Sequence, residues 1–149
     1  MSMSVVTRTI AAPVEIVFKT VSEVSEFSKA VPHLVEIEFV SDSRTGVGTV
    51  FRETREINGK RSTVELEITE FVPNERIRLV ADSHGTIWDS VYTLSGADGG
   101  TALQLTLNAR AYTMAARIMN PLVRGIVQKA LEKDMDAVKD YCEKLAAGS

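Results

Sequence analysis

The segment GGTALQLTLNARAYTMAARIMNPLVRGIVQKALEKDMDAVKDYCEKL, residues 99–145, changes its hydrophobic period midway, and that change decides the fold class. In its first part Leu103, Leu105 and Leu107 alternate with Gln104, Thr106 and Asn108, as in a strand with one dry and one wet face. From Met114 onward apolar residues recur at Ile118, Leu122, Ile126, Ala130, Met135, Val138, Tyr141 and Leu145. Met119, Val123, Val127 and Cys142 widen that stripe. The spacing predicts one amphipathic helix of about 30 residues, ~45 Å at 1.5 Å per residue. Pro121 lies inside it and either kinks the helix or marks a later start.

Upstream, the period of two extends back to Leu34. It predicts strands at Leu34–Ser41, Thr49–Ile57, Ser62–Phe71, Arg76–Asp82, Thr86–Leu94 and Thr101–Ala109. Turn chemistry separates them: Arg44-Thr45-Gly46, Asn58-Gly59, Pro73-Asn74, His84-Gly85 and Asp98-Gly99-Gly100. The third strand alternates as cleanly as the last, Val64, Leu66 and Ile68 opposing Glu65, Glu67 and Thr69. Before the meander, Val5–Ile10 is a short β-branched run stopped at Ala11-Ala12-Pro13. Val14, Val17, Phe18 and Val21 then make one helical stripe, with Glu15 favourable in its first turn. A second short helix over Ser22–Ala30 ends at Val31-Pro32, because the residue before proline avoids the helical region.

Composition narrows the function classes. The 149 residues, 44% apolar and 25% charged, fit one globular domain spanning 1–149, with no linker or repeat dividing it. Seventeen basic against twenty acidic residues, a net charge of −3, argue against a general nucleic-acid binder. One cysteine, Cys142, cannot form an internal disulfide and suits a reducing, cytoplasmic setting. No run approaches the ~20 apolar residues of a membrane span, and no basic start followed by an apolar block reads as a signal peptide. Two histidines far apart, His33 and His84, give no metal-binding spacing, and no phosphate-cradling glycine motif or nucleophile elbow occurs. No cofactor or metal is expected.

The order strand, two short helices, six-strand meander and long terminal helix resembles the helix-grip fold of the START-like (SRPBCC) superfamily. Within it the chain is most similar to the polyketide cyclase/dehydrase and lipid-transport group. The residues that carry the likeness are Ala12-Pro13-Val14-Glu15-Ile16-Val17-Phe18, Phe27-Ser28-Lys29-Ala30-Val31-Pro32 and Gly46-Val47-Gly48-Thr49. Further on come Pro73-Asn74-Glu75-Arg76-Ile77 and Gly99-Gly100-Thr101-Ala102-Leu103. The expected architecture is α+β, a seven-stranded curved antiparallel sheet gripping the last helix. The resemblance implies that the short helices plug one end and that the other opens into an apolar cavity. The loops there would be Ile57–Ser62 and Ser83–Thr86, called gate and latch in hormone-receptor members. Neither matches the receptor gate sequence, so hormone sensing does not carry over.

On that plan the expected ligand walls are Val64, Leu66, Leu79, Trp88, Leu105, Leu107, Met114, Ile118, Met119 and Leu122, with Ser90 and Tyr92 as polar anchors. Trp88, Ser90, Tyr92 and Leu94 share one strand face, so Trp88 and Tyr92 read equally well as core aromatics. Tyr92, Ser90 and His84 are the candidates for moving a proton if the cavity is catalytic; a lone loop histidine also reads as a solvated turn residue. Arg52 and Glu53 lie on a strand whose inward face the pattern leaves open, while Asp89 alternates outward into solvent. Cys142 reads as buried packing rather than as a nucleophile. Arg110, Arg117, Arg124 and Lys129 carry the first half of the terminal helix region with no acid before Glu132, against the helix dipole. They form either an ordinary solvated face or a basic rim favouring a carboxylate-bearing ligand, an acyl carrier or an anionic membrane surface. The expected function is binding of a small hydrophobic molecule: a lipid, quinone, aromatic or polyketide-like compound. A polyketide cyclase or dehydratase using the same cavity is the alternative, and an accessory protein-interaction domain with a filled core is a third.

Overall fold

The first strand, β1 (Ser2–Ile10), pairs not with its neighbour in sequence but with the last strand, nearly a hundred residues on. The computed structural model describes residues 2–148. After β1 come α1 (Val14–Ser22), α2 (Val24–Ala30), β2 (Leu34–Phe39), β3 (Val50–Ile57), β4 (Lys60–Val72), β5 (Arg76–Ser83), β6 (Thr86–Ala97), β7 (Gly100–Ala111) and α3 (Met114–Ala147). All seven strands form one antiparallel sheet in the order β1-β7-β6-β5-β4-β3-β2. It is the helix-grip arrangement, with the three helices against the sheet's inner face.

Local chemistry sets the boundaries. Asn58 and Gly59 both have positive φ, as do His84 and Gly85. These two-residue connections match the right-handed strand twist. Glu23, extended at φ −93° and ψ 117°, ends α1 and starts α2, so the two helices form a bent plug. The Thr113 hydroxyl caps α3 by accepting the Ala116 N–H at 3.2 Å. The helix runs unbroken through Pro121, which removes the late-start alternative. Pro121 has no N–H for the Arg117 carbonyl, a loss that solvent makes good at this exposed position.

The inner face follows the predicted alternation. Ile68, Ile77, Leu103 and Leu105 are buried with Val17, Phe18 and Val21 of the plug and with Met135, Val138 and Cys142 of α3. Phe18 meets Phe71 edge to face at 5.2 Å. The second half of α3 is fastened at several points. Lys139 Nζ donates to the Thr9 carbonyl at 2.7 Å, Glu143 accepts the Ala11 N–H at 2.9 Å, and Tyr141 donates to Glu26 at 2.9 Å. Its first half is different: there only Ala116 is buried. Met114, Ile118, Met119, Leu122 and Ile126 are 54–73% exposed. Cys142 is inert packing, its thiol donating to Thr20 Oγ1 at 3.3 Å and pushed up in pKa by burial.

Candidate functional site

A partly open cavity of about 110 Å³ lies where the plug, the sheet and the middle of α3 meet. Its apolar walls come from Val21, Val24 and Phe27 of the plug, Leu66, Leu79 and Leu105 of the sheet, and Leu131 of α3. Strand register explains the sheet's part: Phe51 faces Leu66, Leu79 faces Ser90 and Tyr92 faces Leu105 across neighbouring strands. Phe27 holds the Tyr92 ring edge-on at 6.5 Å.

One side of the cavity is charged. Phe51, Glu53 and Arg55 alternate along β3, so an inward Phe51 brings both ionic side chains inward. Arg55 Nη1 donates to the two carboxylate oxygens of Asp134 at 3.0 and 2.9 Å, and its Nε donates to Glu53 at 3.1 Å. His33 Nε2 lies 2.9 Å from Arg55 Nη1 and 3.1 Å from Asp134 Oδ1, between a donor and an acceptor. Asp134 is only 5% exposed, on the sheet-facing side of α3 among Leu131, Met135 and Val138. Burial works to lower the Arg55 pKa, but the charges of Glu53 and Asp134 and their hydrogen bonds outweigh it and raise it. Burial is also the main reason the His33 pKa lies below its ordinary value; Arg55 and Lys133 add to this, and Asp134 opposes it. The cluster sets one guanidinium, Arg55, against two acidic side chains, Glu53 and Asp134.

Tyr92 and Ser90 complete the polar lining. Among the described residues neither hydroxyl has a hydrogen-bond partner within the protein, and both face the cavity. Desolvation pushes the Tyr92 phenol well above its usual pKa, so it remains a proton donor at any physiological pH.

Five of the expected wall and anchor residues therefore gather here: Leu66, Leu79, Ser90, Tyr92 and Leu105. The others lie elsewhere. Val64 is on the inner face opposite Glu53 but off the cavity lining. Trp88 and Leu107 line a much smaller recess with Asn120, Val123, Arg124 and Val127. Met114, Ile118, Met119 and Leu122 turn to solvent, because Ala116, Val123 and Val127 take the sheet-facing positions of that half of α3. His84 is an exposed turn residue bonded to Ser83 at 2.8 Å, outside the cavity. Asp89 does point outward, but two bonds of 2.9 and 2.6 Å to Arg78 hold it, and its side chain is mostly covered. Arg52 also faces outward, between Glu38 and Glu65. The basic half of α3 does not rim this cavity: Arg124 precedes Asp134 by ten positions, ~15 Å along the helix. Arg55, Asp134 and the role of His33 were not foreseen from the sequence. Two signals could have found them: the alternation from Phe51, and an acid in helical phase with Leu131, Val138 and Cys142.

Comparison with known proteins agrees with this architecture. Residues 2–143 match the family model described as polyketide cyclase / dehydrase and lipid transport, and the chain belongs to that family. No functionally curated protein matches the sequence. Among solved structures, the Thermus thermophilus protein TTHA0849 superposes with a TM-score of 0.78 at 20% identity, over 99% of this chain and 100% of its own. A START superfamily protein from Mycobacterium smegmatis gives 0.77 at 19% identity, over 96% and 98%. The di-domain ARO/CYC protein StfQ of the steffimycin biosynthetic pathway gives 0.79 at 13% identity, over 99% of this chain and 52% of that one. At these identities the likeness establishes the fold. No helix among the described residues is long and apolar enough to cross a membrane.

Proposed function

We propose that this protein binds a small, mostly apolar molecule in the cavity between plug, sheet and α3, and holds its polar end against Tyr92, Ser90 and Glu53. The observation that carries the reading is the pair of unpartnered hydroxyls in an otherwise apolar pocket, beside a cation already held by two carboxylates. Apolar walls supply affinity and a few placed polar groups supply orientation. The space of about 110 Å³ is below the ~150 Å³ of an engineered cavity that takes benzene. The enclosed part of the ligand is therefore about one ring in size, and anything longer extends through the open side. The charge count selects against a carboxylate at that end and for a phenol, enol or alcohol.

A matched pair of probes, p-cresol and p-toluate, tests this by calorimetry or ligand-observed NMR. We expect the phenol to bind better. Tyr92→Phe should weaken it about threefold to tenfold, as for loss of one hydrogen bond of ~0.5–1.5 kcal/mol. Leu105→Trp, which fills the cavity, should abolish binding. Tighter binding of the carboxylate, or indifference to Leu105→Trp, would overturn the reading.

A second reading, a cyclase or dehydratase, has one observation in its favour. A phenol kept protonated and a carboxylate line the same apolar space. Glu53 could take a proton from carbon beside a ligand carbonyl while the Tyr92 hydroxyl donates a hydrogen bond to the oxygen and stabilises the enolate that forms. An enzyme should lose turnover in Tyr92→Phe and Glu53→Gln while still binding substrate; a binding protein should return its copurified ligand unchanged, as native mass spectrometry of the extract would reveal.

A further inference from the structure

The first half of α3 carries a feature that the cavity does not use. Met114, Ile118, Leu122 and Ile126 follow one another at intervals of four along the helix, and Met119 adjoins them. All five are large, apolar and mostly exposed. Single exposed apolar residues are ordinary, but a contiguous row marks a contact surface. The charge around it is one-sided. Arg117, Arg124 and Lys129 are exposed, and no acid interrupts α3 before Glu132 in a chain whose net charge is −3. The acids shown in contact with this region lie at its two ends: Asp82 accepts the Tyr112 hydroxyl at 2.7 Å, and Glu132 accepts from Gln128 Nε2 at 3.3 Å.

We infer that this half of α3 docks on an anionic lipid bilayer, its apolar row entering the headgroup–acyl boundary and its arginines and lysine meeting the anionic headgroups. A helix with an apolar face and basic residues beside it is the form such contacts take. A second copy of the chain is the poorer occupant: a two-fold contact apposes the same patch from both copies, bringing three cations against three. The inference is independent of what the cavity binds.

Vesicle flotation or co-sedimentation tests it, using phosphatidylcholine vesicles with and without phosphatidylglycerol. We expect binding that requires phosphatidylglycerol and weakens as salt is raised. Arg117→Gln with Arg124→Gln should lower affinity about 25-fold, roughly fivefold for each cation. Ile118→Glu with Leu122→Glu should abolish binding, with circular dichroism verifying the fold. Because these residues are exposed, the variants should fold; if the double-glutamate variant does not, Leu122→Trp gives an independent readout, its emission shifting to the blue on phosphatidylglycerol vesicles. Three results would overturn the inference: no vesicle binding, binding that survives both double variants, or concentration-dependent dimerisation lost in Leu122→Glu without any lipid binding.

Discussion

Replacing Asp134 by alanine tests the ionic cluster most directly. Asp134 is buried and accepts two hydrogen bonds from Arg55, at 3.0 and 2.9 Å. Removing one member of a buried pair typically costs about 3–5 kcal/mol, because the remaining charge is left unpaired. Arg55 here keeps Glu53 at 3.1 Å, and 23% of its side-chain surface reaches solvent, so the cost falls to the bottom of that range or just below it, about 2–3 kcal/mol. Alanine recovers roughly 0.5 kcal/mol of helix propensity in α3. The net expectation is about 2 kcal/mol, read as a drop of roughly 4–8 °C in Tm for a domain of this size. Urea or thermal unfolding followed by circular dichroism at neutral pH measures it. Asp136→Ala on the same helix is the control. It breaks a pair with Arg8 whose acid is 59% exposed, and should cost less than about 1 kcal/mol. Arg55→Met should be worse than Asp134→Ala, since it leaves two carboxylates facing the same cavity, and the double variant should cost less than the sum of the two. If Asp134→Ala and Asp136→Ala unfold at the same temperature, the cluster does not hold α3 to β3 and the reasoning fails.

Three further outcomes follow from particular contacts. The His33 pKa is lower in the folded than in the unfolded chain, so the unfolded state binds the extra proton first; stability falls as pH drops below about 6.5, and His33→Gln should flatten that slope in unfolding titrations between pH 7.5 and 5. Gly85→Ala places a Cβ against the Thr113 side chain that caps α3, at a residue with φ +78°; it should cost about 2–3 kcal/mol, against about 1 for Gly59→Ala, which has φ +77° but open space. The Thr49 hydroxyl is buried without a partner, so Thr49→Val should stabilise the protein by about 1 kcal/mol, and a loss of stability in denaturant would show that the hydroxyl is satisfied after all.

Most of the fold was readable from periodicity because the inner face obeys it. Leu103, Leu105 and Leu107 are buried as their alternation requires, and no end of β4 to β7 lies more than three residues beyond its predicted place. The orientation of α3 was not readable in the same way. It carries two apolar rows, and the longer-chain one, Ile118–Leu122–Ile126, is the one that faces out. The inward row is disguised by small Ala116 and by Asp134, a charge at a core position. Nor could the cluster be seen locally, since Arg55 and Asp134 are 79 residues apart and meet only when α3 crosses β3. Ser90 and Tyr92 were legible because one strand's alternation sufficed to place both on the inner face.

The pairing of β1 with β7 bears on how the chain is made. Ser2 lies opposite Ala109 and Ile10 opposite Thr101, so a segment that leaves the ribosome before the meander waits for the meander's final strand before its edge is satisfied. The strands from β2 to β7 can zip up through neighbouring hairpins as they emerge, whereas β1 must be recruited across a long loop whose closure is entropically slow. In the interval β7 is an open edge able to accept a strand from another nascent chain, so crowded translation should expose this protein to strand exchange more than its finished form suggests.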